Sequence, residues 1–186
     1  MGTVATWTAG TTTGTIMATA HNALANAANT VGQYSNASTV ALTTTPTAVA
    51  HSTNDTQAAA GGITHSTSSN TTRFTATAVG IYEFAVQPQA THLTTGTGDC
   101  TFWLRLNGTT PVTNSAARFR ENGALGTTVL TIIAPVQMAV NDYIEVMAVA
   151  SVASEYEISF TAGSGAGATA IPATPSIITT VTALPV

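Results

Sequence analysis

Arg73-Phe74-Thr75-Ala76-Thr77-Ala78-Val79-Gly80-Ile81-Tyr82-Glu83-Phe84-Ala85-Val86 decides the fold class. Two short β-type runs meet at Gly80. In the second, Tyr82, Phe84 and Val86 fall on one side and Glu83 and Ala85 on the other. That is the period-two pattern of a half-buried strand with its aromatic side in the core. Pro88 is expected to end this strand, because proline supplies no donor to a sheet ladder.

The same pattern runs outward in both directions. Downstream, Gly96-Thr97-Gly98-Asp99 reads as a turn, after which Phe102, Leu104 and Leu106 alternate with Trp103 and Arg105. Asn107-Gly108 is the strongest hairpin signal, since both residues tolerate positive φ. Residues 111–119 are expected to return from it, and Glu121-Asn122-Gly123 turns again. Over 127–134, Val129, Thr131 and Ile133 share one side and Leu130 and Ile132 the other, so neither side is charged. A strand apolar on both faces of an antiparallel sandwich needs cover from outside the sandwich. Tyr143 to Val149 and the run Glu155-Tyr156-Glu157-Ile158 are further strands; 162–170 reads as a flexible loop, and 176–182 as the last strand. Upstream, residues 38–50 form a strand interrupted by Pro46, and 51–70 form a polar loop with a short strand near Ile63.

Residues 1–35 read differently. Ile16, Ala20, Leu24, Ala27 and Val31 recur at helical spacing and Gly32 is a stop. So thin a stripe is marginal alone and needs a surface to pack on. The expected architecture is therefore all-β: an antiparallel jelly-roll sandwich over 36–186, preceded by a short N-terminal arm (1–35) containing one helix. The arm is read as a docking segment through Trp7, Ile16, Leu24 and Val31; a disordered or domain-packed leader fits it equally.

Composition narrows the function. Charged residues make up 6% of the 186, against roughly 25% in ordinary soluble domains. There is no lysine, and the net charge is −4, which gives no support for a phosphate-tracking groove and so for a nucleic-acid partner. A surface with so little charge is poorly protected against association, and partners that cover it are one explanation. Met1 to Trp7 has neither a basic nor an apolar leader region, and no run of about 18 apolar residues exists, so neither a secretory leader nor a membrane span is expected. A domain of this size buries roughly 70% of its unfolded surface and needs no staple. The lone Cys100 lies in an apolar run and reads as core.

Beyond these patterns, Phe74-Thr75-Ala76 … Gly80-Ile81-Tyr82-Glu83-Phe84 resembles the strand-turn-strand signature of the C1q/TNF-like jelly-roll superfamily. Leu104-Arg105-Leu106-Asn107-Gly108 is similar to its hairpin, and Val140-Asn141-Asp142-Tyr143-Ile144-Glu145-Val146 to its glycine-aspartate turn, with Asn141 where glycine is usual. The resemblance covers residues 38–162 and implies a homotrimer packed through apolar strands. Val129, Leu130, Ile132 and Ile133 are then the expected trimer interface. Within the superfamily, the lysine-free Thr/Ala/Gly-rich style and the closing Pro175-Ser176-Ile177-Ile178 resemble tailed-phage structural proteins.

No catalytic constellation emerges. His21, His51, His65 and His92 lack the close spacing of a zinc site; His51 and His65 flank one loop, where solvated histidines are expected over a metal site on a threefold axis. Asp99 and Asp142 suit turns, and Glu155 and Glu157 a solvated strand edge. The expected function is that of a virion structural protein: a trimeric decoration (cement) protein on the outer capsid surface, not an enzyme, with no cofactor or metal. Its partners would be its own copies and the major capsid protein or another virion protein. The alternative is a host-recognition module of a head or tail fibre, binding a surface glycan or protein.

Overall fold

The computed structural model describes residues 31–57, 62–121, 126–167 and 170–184. Fifteen strands run through them: β1 Val31–Asn36, β2 Val40–Ala41, β3 Thr47–Ala48, β4 Thr53–Gln57, β5 Ile63–His65, β6 Arg73–Ala76, β7 Gly80–His92, β8 Cys100–Leu106, β9 Thr110–Pro111, β10 Ala117–Phe119, β11 Thr127–Val129, β12 Ile132–Met138, β13 Tyr143–Ala150, β14 Tyr156–Ile158 and β15 Ile177–Leu184. They form two antiparallel sheets around one core, so the chain is an all-β sandwich of the jelly-roll type. The first strand starts at Val31, so 31–35 belong to the sandwich and not to an arm. The expected helix, with Trp7, Ile16 and Leu24, lies outside the described residues.

One sheet runs β2-β14-β7-β15-β1-β4, with β11 and β12 on the other edge of β7; the second runs β10-β8-β13-β6-β5, with β3 and β9 attached. Strand β7 does not stop at Pro88; it continues to His92. The reason lies in its neighbours. On one edge β15 pairs as far as Pro88 and β14 takes over at Ala90; on the other, β12 pairs up to Val86 and β11 from Gln89. Pro88 occupies the changeover, where its missing N–H costs no ladder bond, and its carbonyl still accepts from Leu130 N at 3.1 Å.

The alternation in β7 and β8 holds as read: Tyr82, Phe84, Val86, Phe102 and Leu104 are all buried, together with Tyr34, Phe74, Ile144, Ile158 and Ile177. Each such side chain contributes about 1.5–3 kcal/mol of transfer free energy, so the core needs no cross-link. Cys100 is fully buried, and burial pushes its thiol up to about 12, where a thiolate is scarce and reactivity low.

The return from the Asn107-Gly108 turn is broken into β9 and β10. Between them Ser115 stands in for a strand partner: its Oγ accepts from Leu104 N at 3.0 Å and donates to Val112 O at 2.8 Å. In and around the stretch 162–170, expected as a flexible loop, the described residues are tied by two antiparallel bridges, Thr161 with Thr174 and Ser164 with Ile171.

The turns explain two asparagines. Asn107 and Gly108 adopt φ of 51° and 72°, and Asn141 takes φ of 71°, the conformation glycine usually supplies at that turn. Asn107 also ties the two loops together, accepting from Tyr143 N at 2.9 Å and donating to Asp142 Oδ1 at 2.7 Å. Replacing Asn107 with Ala removes both bonds and keeps the strained backbone. A loss of about 1–3 kcal/mol is expected, read as a lower urea midpoint at unchanged slope.

Candidate functional site

Two surfaces stand out, one on the outside of each sheet. The first is the outer side of the eight-stranded sheet. The register sets Ile133, Ala85, Thr180 and Gln33 in one row and Pro135, Glu83 and Thr182 in the next. Ile81, Ile178 and Leu184 share this side and are half-buried. Glu83 is the charged group among these residues, and Ile133 is 60% exposed, a large aliphatic side chain on the flat of a sheet.

The residues expected at a trimer interface divide between the two sides of this sheet. Val129 and Ile133 lie outside, at 56% and 60% exposure. Ile132 is in the protomer's own core, and Leu130 packs against that core, so these two of the four expected trimer-interface residues face inward. The apolar character of 127–134 thus has two causes: one side is core, and the other faces out. Of the docking residues, Val31 is placed by its backbone in β1, opposite Thr182.

The second surface is the outer side of the seven-stranded sheet. All four arginines belong to this sheet or, for Arg120, lie just past β10. At its centre Glu145 of β13 is flanked in register by Arg73 of β6 and Arg105 of β8. Arg105 donates to Glu145 Oε2 from Nη2 at 2.7 Å and from Nε at 3.2 Å. Oε1 accepts from Thr72 Oγ1 at 3.2 Å and lies 3.6 Å from Arg73 Nε. The Arg73 guanidinium also sits 4.2 Å over the Tyr143 ring. The glutamate side chain is 6% exposed, against 39% and 27% for the arginines, so the carboxylate is covered and the cations face out. Sequence reading missed this cluster, although the alternation Trp103/Arg105 and Tyr143/Glu145 already placed its members on like faces.

The described histidines are not solvated. His51, His65 and His92 are all buried; for His51 and His65 this is a correction with a clear cause, since the polar stretch 51–70 contributes β4 and β5 to the sandwich and both imidazoles pack on Phe74, while His92 is the last residue of β7. His51 Nε2 lies 2.8 Å from Thr179 Oγ1, and its ring is edge-on to Phe74 with centroids 4.8 Å apart. His65 stacks on Phe74 at 5.0 Å, with its ring 5.9 Å from that of His51, Nδ1 at 2.7 Å from Asn54 Oδ1 and Nε2 at 3.0 Å from Thr71 O. Burial lowers both imidazoles, His51 to about 3.

Several carboxylates are likewise engaged. Asp99 pairs with Arg118; Glu155 accepts from Gly98 N at 2.9 Å, which orders the 96–99 turn; and Glu157 accepts from Ser159 Oγ at 2.7 Å. These bonds replace the solvated edge expected for Glu155 and Glu157. Asp142 accepts from Asn107 Nδ2 and Ala139 N, which hold its carboxyl below the usual range. Among the described residues, no three of His, Cys, Asp and Glu come together in a way that could hold a metal ion.

No family model and no curated protein matches this chain. Among solved structures it is similar to the globular domain of zebrafish complement 1qA protein, with a TM-score of 0.52 at 12% identity, over 82% of this chain and 95% of that one. At that identity the likeness is one of fold, and it agrees with the C1q-like jelly roll that the turn and strand motifs resemble.

Proposed function

We propose that this chain is a non-enzymatic structural protein that assembles as a homotrimer through the outer side of its eight-stranded sheet. The observation that carries this reading is the composition of that side: aliphatic and neutral polar residues from β12, β7 and β15 around the exposed Ile133, with Glu83 as their one charge. Such a face matches the depletion of charge at the centre of stable interfaces.

The finer reading is a decoration (cement) protein of a virion, bound to the outer capsid surface with residues 1–30 as its docking arm. It draws its support from the lysine-free Thr/Ala/Gly-rich style and from the weak charge, which suits a surface covered by partners. Deleting residues 1–30 is expected to abolish co-sedimentation with capsids while leaving a folded trimer. Unchanged capsid binding by the truncated chain would remove the arm from the proposal.

The second reading, a host-recognition module, is favoured by the arginine-bearing outer side of the other sheet. That side would remain open in a trimer built through the eight-stranded sheet.

A further inference from the structure

We infer that the outer side of the seven-stranded sheet is a binding site for an acidic saccharide, held by Arg73 and Arg105 and flanked by Trp103 and Tyr143. The inference deepens the host-recognition reading and rests on it; the trimer reading uses the opposite sheet and stands apart from it.

The argument begins with Glu145. A buried carboxylate in the middle of an exposed sheet face is costly unless paired, and both of its oxygens are engaged. Partly exposed ion pairs contribute little to stability, so this arrangement is poorly explained as a staple. Its clear effect is to fix two guanidinium groups on either side of one carboxylate. Arg105 spends Nε and one Nη2 hydrogen on Oε2, which leaves its Nη1 edge directed elsewhere. Arg73 is held by Glu145 through Nε and by the Tyr143 ring beneath it, and its terminal nitrogens remain available. Two cations against one anion give this spot a net positive charge on a chain of net charge −4.

Guanidinium forks match carboxylate and sulfate groups in a bidentate way, and side chains already immobilised lose less entropy on binding. Trp103 is two residues from Arg105 on the same side of β8, and half-buried. Beside it in register, Met147 of β13 is fully buried although it shares the outer side with Glu145. A half-buried indole in register with Met147, two residues from a cationic fork, offers a ring platform beside an anion site, the two features an acidic sugar presents in reverse. The flat face of a central strand has no free ladder edge, so an extended peptide has no backbone to pair with there.

The test is calorimetric titration of the full chain with sialyllactose, with sulfated lactose and with plain lactose, each at low and at high salt. Sedimentation of the same samples reports assembly separately. Binding of one or both acidic sugars is expected, roughly tenfold or more tighter than lactose and weaker at high salt. The two acidic sugars distinguish a carboxylate from a sulfate ligand. Arg73→Gln leaves Glu145 with Arg105 and Thr72, and a loss of about tenfold or more in affinity is expected for it and for Trp103→Ala, without change in assembly. The wild-type salt dependence serves as the independent measure if a variant misfolds. Lactose binding as well as the acidic sugars, no binding of any sugar at millimolar concentration, or wild-type affinity in both folded variants would overturn the inference. So would tighter binding of a glutamate-rich peptide, which would point to a protein partner.

Discussion

Acidification from pH 7 to pH 4 is expected to cost the folded chain about 3 kcal/mol, with His51 as the main cause. The imidazole is fully buried, and burial is the largest reason that its pKa falls to about 3; repulsion from His65 adds to this, and a backbone interaction with Val49 opposes it. Around it lie His65, Phe74 and Thr179, with Tyr34 packed against His65 and Phe74 in turn. None of these is an anion at neutral pH, since burial pushes the Tyr34 phenol up to about 12. In the unfolded chain the same imidazole takes up a proton below roughly pH 6.5. Between about pH 6.5 and 3 the unfolded state therefore binds more protons, and stability falls as the pH falls.

His65 is lowered as well and acts with the same sign. Asp142, with its carboxyl held below the usual range, loses its contribution only at lower pH, and its exposure makes that share small. Urea unfolding at the two pH values measures the effect. His51→Gln keeps a polar partner for Thr179 without a group that titrates there, and its loss between pH 7 and pH 4 should be markedly smaller than the wild type's. Equal losses in the two proteins would show that His51 is not the group responsible.

The same histidine marks the boundary of what could be read from the sequence. Strands that alternate against water were legible, because Tyr82, Phe84 and Val86, or Phe102 and Leu104, need only the period of two to be assigned. Turns that require positive φ were legible for the same local reason, at Asn107-Gly108 most plainly. Pro88 and His51 were misread because their outcome depends on distant partners. Pro88 is harmless in mid-strand because β12 gives way to β11 on the edge that its carbonyl faces, around the distant Leu130. His51 is enclosed by Phe74 and His65 and meets Thr179 of β15, 128 residues away.

The candidate surfaces show the same division. That 127–134 is apolar on both sides could be read locally. Which side is core could not, because β7 decides it by pairing Ile132 with Val86 and Ile133 with Ala85. The cluster of Arg73, Glu145 and Arg105 joins three strands from three parts of the chain, and only the register brings them together.

An arginine at position 133 is expected to convert the assembly to monomers. As an isolated protomer the chain should tolerate Ile133→Arg within about 0.5 kcal/mol, because the side chain is 60% exposed and points away from the core. In a trimer packed through this face the new guanidinium would be buried among Ala85, Pro135 and Thr180, the residues in register around it. Glu83, in the next row, is the charge on this part of the face, and one carboxylate does not offset an arginine placed in every copy. An unpaired buried charge costs several kcal/mol at each interface, enough to undo a contact of roughly 800 Å² per partner. Sedimentation equilibrium should therefore give three times 18.7 kDa for the wild type and 18.7 kDa for the variant, with thermal unfolding of the folded unit retained. Val79→Arg is the matched control: Val79 is 69% exposed in the turn between β6 and β7, outside the strands that form this face, and the variant should remain trimeric. A monomeric wild type, or a trimeric Ile133→Arg, would remove the eight-stranded sheet from the assembly. If both arginine variants fell apart, the cause would be added charge on a weakly charged surface and not a specific interface.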